Sequence, residues 1–143
     1  TPAGGGAGSL ARALIMAGAV LDASAVIALL RDEPGAAVIA GYADDAMISA
    51  VTLQEVIKAL LVRGFSAAET RILIDSLALE VRAHAAGDAW AAAQLWHATK
   101  AKGSGLGDRT CMALAIVEGI PVVTTDKAWS ELAIPGLAVI QAR

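Results

Sequence analysis

Short apolar runs alternate with longer stretches of helical periodicity, and this alternation restricts the fold more than any other feature of the chain. The apolar runs predict strands at residues 19–22, 46–50, 80–84, 120–125 and 137–141. The periodic stretches predict helices at residues 24–31, 35–43, 53–63, 67–78, 88–102 and 108–118. Strands that alternate with helices in this way form βαβ units around a parallel sheet. We therefore predict an α/β fold.

The 143 residues are enough for one domain with a single core. Residues 1–17 differ from the rest, because six of the first nine are Gly or Ala and Met16 precedes the first predicted strand. We expect a tag, linker or upstream extension there, and a folded domain over residues 18–143. The stretch Ala13–Leu21 resembles the apolar part of a signal peptide, but Arg12 is the only basic residue before it, so we favour no export signal.

Composition limits the environment and the partners of the chain. No apolar run reaches the ~18 residues that a membrane span requires, so we expect no membrane segment. A single cysteine, Cys111, forms no intrachain disulfide and indicates a reducing, cytoplasmic compartment. The net charge of -3 argues against wide nonspecific binding to nucleic acid, although a small basic groove remains compatible with it.

Four acidic residues stand at the ends of apolar runs or at the starts of predicted helices: Asp22, Glu55, Asp108 and Asp126. Two follow strands and two fall in the first turns of helices, which places all four at one edge of a parallel sheet, where α/β proteins bind ligands. Carboxylates about 4 Å apart repel by roughly 4 kcal/mol at an effective dielectric near 20. Hard divalent cations prefer oxygen ligands and would offset this repulsion. The pattern predicts a metal site.

Each acid also has a purely structural interpretation. Asp22 could cap the helix that starts near Ser24, and Asp126 could begin a turn. Glu55 is the third residue after Thr52, so the two could form a capping box. Asp108, in a first helical turn, would gain from the helix dipole without any metal.

Four sequence blocks resemble the PIN-domain ribonucleases of the VapC toxin type. They are Val20-Leu21-Asp22-Ala23-Ser24, Ser49-x-x-Thr52-x-x-Glu55, Gly105-Leu106-Gly107-Asp108-Arg109-Thr110-Cys111-Met112-Ala113-Leu114-Ala115 and Val123-Thr124-Thr125-Asp126-Lys127-Ala128-Trp129. They occur in the family's order within residues 18–143, and the block around Asp108 is the most specific. Gly105 departs from the pattern where relatives often have Ser, and residues 127–129 lack the further acid that some PIN nucleases carry.

The resemblance implies a PIN-like three-layer α/β/α fold with a parallel five-stranded sheet. It also implies Mg²⁺ or Mn²⁺ as cofactor for the hydrolysis of RNA phosphodiesters. Asp22, Glu55 and Asp108 would be the principal metal ligands and catalytic residues, with Asp126 as a fourth. The hydroxyls of Ser24 and Thr124 would support these acids. The implied partner is a small antitoxin that wraps the toxin and blocks its acidic pocket.

RNA contact must come from few basic residues. Arg109 and Lys127 adjoin site acids, and Lys100 and Lys102 precede the loop that leads to Asp108, so these four are candidates for phosphate contact. Lys100 and Lys102 could equally be a solvated helix end. For Trp90 and Trp96 we favour packing in a core or interface over base stacking, and we interpret His84 and His97 as structural.

The predicted helical hairpin from Leu53 to Leu79 is rich in apolar residues and could form a homodimer face or receive a partner helix. Two other functions stay open at this point. One is a phosphoryl-transfer domain of the receiver or phosphatase type, although Ala23 and Ser24 do not supply the second acid that it would want beside Asp22. The other is a degenerate PIN module that only binds.

Overall fold

A computed structural model describes residues 18–143, and the predicted N-terminal extension lies outside these residues. Five parallel strands form one sheet in the order β3-β2-β1-β4-β5. They are β1 (Ala19–Leu21), β2 (Ala46–Ser49), β3 (Glu80–Arg82), β4 (Val122–Thr124) and β5 (Val139–Gln141). The predicted parallel sheet is therefore confirmed. The order reverses at β1, which pairs with both β2 and β4.

Among residues 18–143, seven α-helices join the strands: α1 (Ala23–Leu30), α2 (Ala36–Ala43), α3 (Ala50–Val62), α4 (Ala67–Asp75), α5 (Ala86–Ala93), α6 (Trp96–Thr99) and α7 (Leu106–Glu118). Two short 3-10 helices span Lys100–Lys102 and Lys127–Glu131. Ser66 and Glu69 form the predicted capping box at the start of α4. Gly103 and Gly119 adopt the left-handed conformation expected of glycines that end helices.

The sheet is covered on both faces, which confirms the three-layer architecture. Ala19 and Leu21 point into a core formed with α1, α2 and α3, whereas Val20 points into a second core with α7. This alternation along a three-residue strand is the period-two pattern of β structure. All three residues are fully buried, so Asp22, the next residue, emerges directly from the centre of the sheet.

Two helix predictions need correction. The helix predicted at 53–63 starts three residues earlier, because Ser49 rather than Thr52 caps it by accepting a hydrogen bond from the Val51 N–H. The helix predicted at 88–102 is interrupted after Ala93, so Trp90 and Trp96 lie on different helices. None of the helices within residues 18–143 has the length and apolarity needed to cross a membrane.

Candidate metal centre

The four acids come from different parts of the chain to the edge of the sheet where the strands end. Asp22 follows β1 directly, and Asp126 lies two residues beyond β4, the neighbouring strand. Helices α3 and α7 begin at this edge and carry Glu55 and Asp108 near their N-terminal ends. The charge of Asp108 raises the pKa values of Asp22 and Glu55, and the charge of Asp126 raises the pKa of Asp108. The structure therefore brings the four predicted residues into one electrostatic cluster.

Asp22 is the innermost member, with only 4% of its surface exposed. Its Oδ1 accepts hydrogen bonds from the Ser24 hydroxyl (2.7 Å) and from the Ala25 N–H (2.8 Å). Its Oδ2 accepts one from the Thr124 hydroxyl at 2.6 Å. Asp22 thus caps α1 as the structural interpretation expected, and one lone pair of Oδ2 stays available. Capping and a place in the acid cluster are compatible.

Two hydroxyl groups connect Asp22 to the loop after β4. The Ser24 hydroxyl accepts the Thr125 N–H at 3.1 Å, and the Thr124 hydroxyl accepts the Asp126 N–H at 3.0 Å. Each hydroxyl therefore donates to the Asp22 carboxylate and accepts from the loop. This arrangement fixes the orientation of Asp22 relative to the backbone of Asp126.

Asp108 is the third residue of α7 and is half-buried. Its Oδ2 accepts the N–H of Gly105, the capping residue, at 3.1 Å. Arg109 directs one guanidinium nitrogen to the Ser104 carbonyl at 3.0 Å, although its charge still acts on Asp108. One carboxylate oxygen of Asp108 therefore closes the first turn of α7. The hydrogen bond to the capping residue does not use the other oxygen.

Glu55 and Asp126 are the exposed members of the cluster. The capping interpretation of Glu55 is wrong, because α3 begins at Ala50 and Glu55 lies in its second turn. Its carboxylate instead lies against Gly107 in the first turn of α7. Asp126 accepts the Ala128 N–H at 3.0 Å and so begins the 3-10 helix that follows, as the turn interpretation expected.

The protonation of the cluster reflects burial and mutual repulsion. Burial is the largest cause that raises the pKa of Asp22 above its usual value, and its three hydrogen bonds oppose that effect. Partial desolvation also raises the pKa of Glu55, with further contributions from Asp108 and Asp22. The pKa of Asp108 is raised by desolvation first and by Asp126 to a smaller degree. A nearby cation would oppose these shifts.

The donor set is all oxygen and carries excess negative charge, which suits a hard divalent cation. As the side chains stand, no three acidic, His or Cys groups among residues 18–143 form a ready-made coordination set. The two outer acids, Glu55 and Asp126, are the exposed ones, whereas Asp22 and Asp108 are held by hydrogen bonds. The cluster thus combines two more buried carboxylates with two exposed ones.

The lysines that are candidates for phosphate contact differ in their surroundings. Lys102 forms an ion pair with Glu131 at 3.2 Å, and the Lys100 ammonium lies over the Trp96 ring at 4.7 Å from its centre. Lys127 is exposed beside Asp126. The packing of Trp90 and Trp96 in the core is excluded, because they are 73% and 48% exposed.

Two features of the contact between α3 and α7 were not predicted from the sequence. The Thr52 hydroxyl and the Cys111 thiol are buried and lie 2.9 Å apart, and desolvation raises the pKa of that thiol, which makes it inert. Gly107 faces Glu55. Both features fall inside blocks that carry the family resemblance, so position in those blocks was the available signal.

The PIN domain family model matches residues 19–135. No curated protein sequence matches the chain. Among solved structures, a toxin-antitoxin complex from Klebsiella pneumoniae is similar with a TM-score of 0.67 and 18% identity, over 87% of this chain and 98% of that one. DNA-bound VapBC from Salmonella typhimurium has a TM-score of 0.64 and 21% identity, over 88% and 98%. VapBC-5 from Mycobacterium tuberculosis has a TM-score of 0.59 and 22% identity, over 87% and 98%.

These structures share the fold of this chain nearly from end to end. Their low identity makes them evidence of architecture alone. The family match covers all four acids, Asp22, Glu55, Asp108 and Asp126. The α/β architecture with a five-stranded parallel sheet agrees with that match. The chain belongs to the PIN domain family.

Proposed function

We propose that this PIN domain is the toxin of a toxin-antitoxin pair and hydrolyses RNA phosphodiester bonds with Mg²⁺ or Mn²⁺. Nuclease activity is the function of the family. The observation that supports it best in this chain is the acid cluster itself: four carboxylates at one sheet edge, of which Asp22, Glu55 and Asp108 have raised pKa values. A divalent cation among these carboxylates would favour their ionised forms and so offset the burial and repulsion that raise their pKa values.

In this proposal Asp22, Glu55 and Asp108 are the principal metal ligands, and Asp126 is the fourth. The bound ion would polarise the phosphate and lower the pKa of the attacking water. Ser24 and Thr124 hold Asp22 in one orientation, so that ligand needs no reorganisation. Glu55 and Asp126 are exposed and would complete the set of oxygen ligands from the outer side of the cluster. The exposed side of the cluster leaves room for RNA.

Four basic residues are proposed to contact RNA phosphates. Arg109 and Lys127 are next to Asp108 and Asp126, so they could steady the phosphate that is cleaved. Lys100 and Lys102 lie in the 3-10 helix that precedes α7. They would contact RNA phosphates further from the cleaved bond. Lys102 must first leave Glu131. An exposed ion pair of this kind contributes about 0–1 kcal/mol, so its exchange for a phosphate is feasible.

Asp88 provides an internal control for testing the metal centre. It occupies the third position of α5 and accepts the N–H of the capping residue Ala85 at 2.8 Å, as Asp108 does for Gly105 in α7. The substitutions Asp108→Asn and Asp88→Asn therefore remove the same charge from the same helix position. They differ because Asp108 belongs to the acid cluster and Asp88 does not.

The test compares both variants with the parent in the cleavage of a labelled single-stranded RNA, with Mn²⁺, with Mg²⁺ and with a chelator. We expect Asp108→Asn to lose at least 100-fold in rate, Asp88→Asn to match the parent, and the chelator to stop cleavage. Circular dichroism would verify that both variants are folded. Equal cleavage by Asp108→Asn and the parent, or cleavage in the chelator, would refute the proposed mechanism.

A partner segment is proposed to bind between α3 and α4. This groove has a volume of about 440 Å³ and an apolar lining that includes Leu53, Ile57, Ile74 and Leu79. The VapBC and toxin-antitoxin structures with the same fold are complexes, as their names state, which supports an antitoxin as the occupant. We expect Ile74→Glu, at a residue that lines this groove but not the outer side of α3, to abolish co-purification with a co-expressed antitoxin without loss of RNA cleavage. Unchanged co-purification would place the antitoxin elsewhere.

We also propose a homodimer in a cytoplasmic setting. The outer side of α3 exposes Leu61 and Val62 to solvent, beside Leu53 and Ile57. A second copy would remove this surface from water. Analytical ultracentrifugation should show a dimer that Val62→Glu dissociates, and a monomeric parent protein would contradict this proposal.

A further inference from the structure

The helices that carry Glu55 and Asp108 meet along a seam of small side chains. Thr52 of α3 contacts Cys111 of α7 through their buried polar atoms, 2.9 Å apart. One turn further along α3, the Glu55 carboxylate lies against Gly107, one turn back along α7. The two contacts are successive steps of an antiparallel helix pair. The spacing of this seam therefore determines how Glu55 approaches the first turn of α7.

Gly107 has no room for a side chain while Glu55 keeps its place. A Cβ atom at this position would lie 2.6 Å from the carboxyl carbon of Glu55, well inside van der Waals contact. The backbone is helical there, so an unusual φ is not the reason for the glycine. Glycine is also a poor helix former compared with alanine. Neither backbone geometry nor helix propensity accounts for glycine at this position, and the contact with Glu55 does.

We propose that Gly107 is a positioning residue, whose missing side chain fixes the place of the Glu55 carboxylate beside Asp108. The inference deepens the proposed function, since it depends on Glu55 as a ligand for its catalytic consequence. The opposing atoms are the far end of a flexible side chain. A methyl group at residue 107 would therefore displace the carboxylate and leave the helix in place, so the site would suffer while the fold would not.

Gly87 is a matched control within the same chain. It is the second residue of α5, as Gly107 is of α7, and each is followed by an aspartate that accepts the N–H of the helix cap. A Cβ atom at Gly87 would have nothing within 4 Å. Gly87→Ala thus changes helix propensity at an equivalent position without displacing a carboxylate.

The first experiment measures RNA cleavage and thermal stability for Gly107→Ala and Gly87→Ala. Because a misplacement of about 1 Å can cost on the order of 100-fold in rate, we expect Gly107→Ala to lose 10- to 100-fold, mainly in kcat. Gly87→Ala should match the parent, and both should melt at or above its temperature. Equal rates for the two alanine variants would overturn the proposal.

A double-mutant cycle with Glu55→Gln shows whether Gly107 acts through Glu55, with Mn²⁺ affinity measured by calorimetry. Gly107→Ala should weaken Mn²⁺ binding in the parent and have no further effect when residue 55 is glutamine. A loss of the same size in both backgrounds would overturn the proposal.

A crystal structure of Gly107→Ala tests the positioning claim independently of any activity. We expect the Glu55 carboxylate to move away from α7 while the backbones of α3 and α7 superpose on the parent. An unmoved carboxylate would overturn the inference. If the carboxylate moves and the parent protein neither binds Mn²⁺ nor cleaves RNA, the proposed function fails and the positioning role of Gly107 stands.

Discussion

The substitution Thr124→Val removes one hydroxyl that serves two partners. In the parent this hydroxyl donates to Asp22 Oδ2 at 2.6 Å and accepts the Asp126 N–H at 3.0 Å, and Thr124 is fully buried. A hydrogen bond to a charged group contributes about 1.5–3 kcal/mol and a neutral one about 0.5–1.5 kcal/mol. We therefore expect Thr124→Val to lower the free energy of unfolding by about 2–4.5 kcal/mol where Asp22 is ionised.

The cost of this substitution should depend on pH. The Thr124 hydrogen bond lowers the pKa of Asp22 against the raising effect of burial, so the valine variant will have a still higher Asp22 pKa. Its native state then holds the proton to higher pH than the parent. Stability falls as pH rises wherever the native state binds more protons than the unfolded state, so the deficit of the variant grows as pH rises through the folded-state pKa of Asp22 in the parent.

Urea unfolding in a chelator, at pH 4 and pH 7, measures this deficit without interference from metal binding. Thr124→Ser is the matched control, because it keeps the hydroxyl and loses only a methyl group, at a cost of about 1 kcal/mol that does not vary with pH. A valine deficit that equals the serine deficit at pH 7, or that is larger at pH 4, would refute the reasoning about Asp22.

Three further predictions concern charge, strain and cation binding. Metal-free Asp108→Asn should melt above the parent at pH 7 and close to it at pH 4, because the raised pKa of Asp108 makes its ionisation costly in the folded state; a lower melting temperature at pH 7 would contradict this. Gly35→Ala should lower the free energy of unfolding in urea more than Gly64→Ala does. Both glycines have φ near +97° to +98°, but an added Cβ atom would meet a backbone oxygen at Gly35, that of Ala142 at 2.7 Å, and nothing within 4 Å at Gly64. Saturating Mn²⁺ should raise the melting temperature of the parent and leave that of Asp108→Asn nearly unchanged in thermal-shift assays.

The sheet and the position of the acids were predictable because their signals are local. Because β1 is fully buried, its sequence is a short apolar run, and Asp22 directly after this run marks the end of the strand. Parallel topology then places the ends of all strands at one edge. The four acids Asp22, Glu55, Asp108 and Asp126 could therefore be assigned to one edge of the sheet from the sequence alone.

Other features depend on contacts between distant residues and could not be predicted. Both Ser49 and Thr52 can cap a helix, and the end of β2 at Ser49 decides between them. The alanine-rich stretch at 88–102 contains no Gly or Pro, so nothing local indicates the break after Ala93. The approach of Glu55 to Gly107 joins residues on two helices, and periodicity along either helix carries no information about it.

The central claim is that the acid cluster binds a divalent cation, and anomalous X-ray diffraction from crystals of the parent protein soaked in Mn²⁺ tests it most directly. The account predicts an anomalous peak within coordination distance of carboxylate oxygens of Asp22 and Asp108, which disappears in Asp108→Asn crystals and persists in Asp88→Asn crystals. A cluster without a peak at saturating Mn²⁺, or a peak that survives Asp108→Asn, would contradict the account.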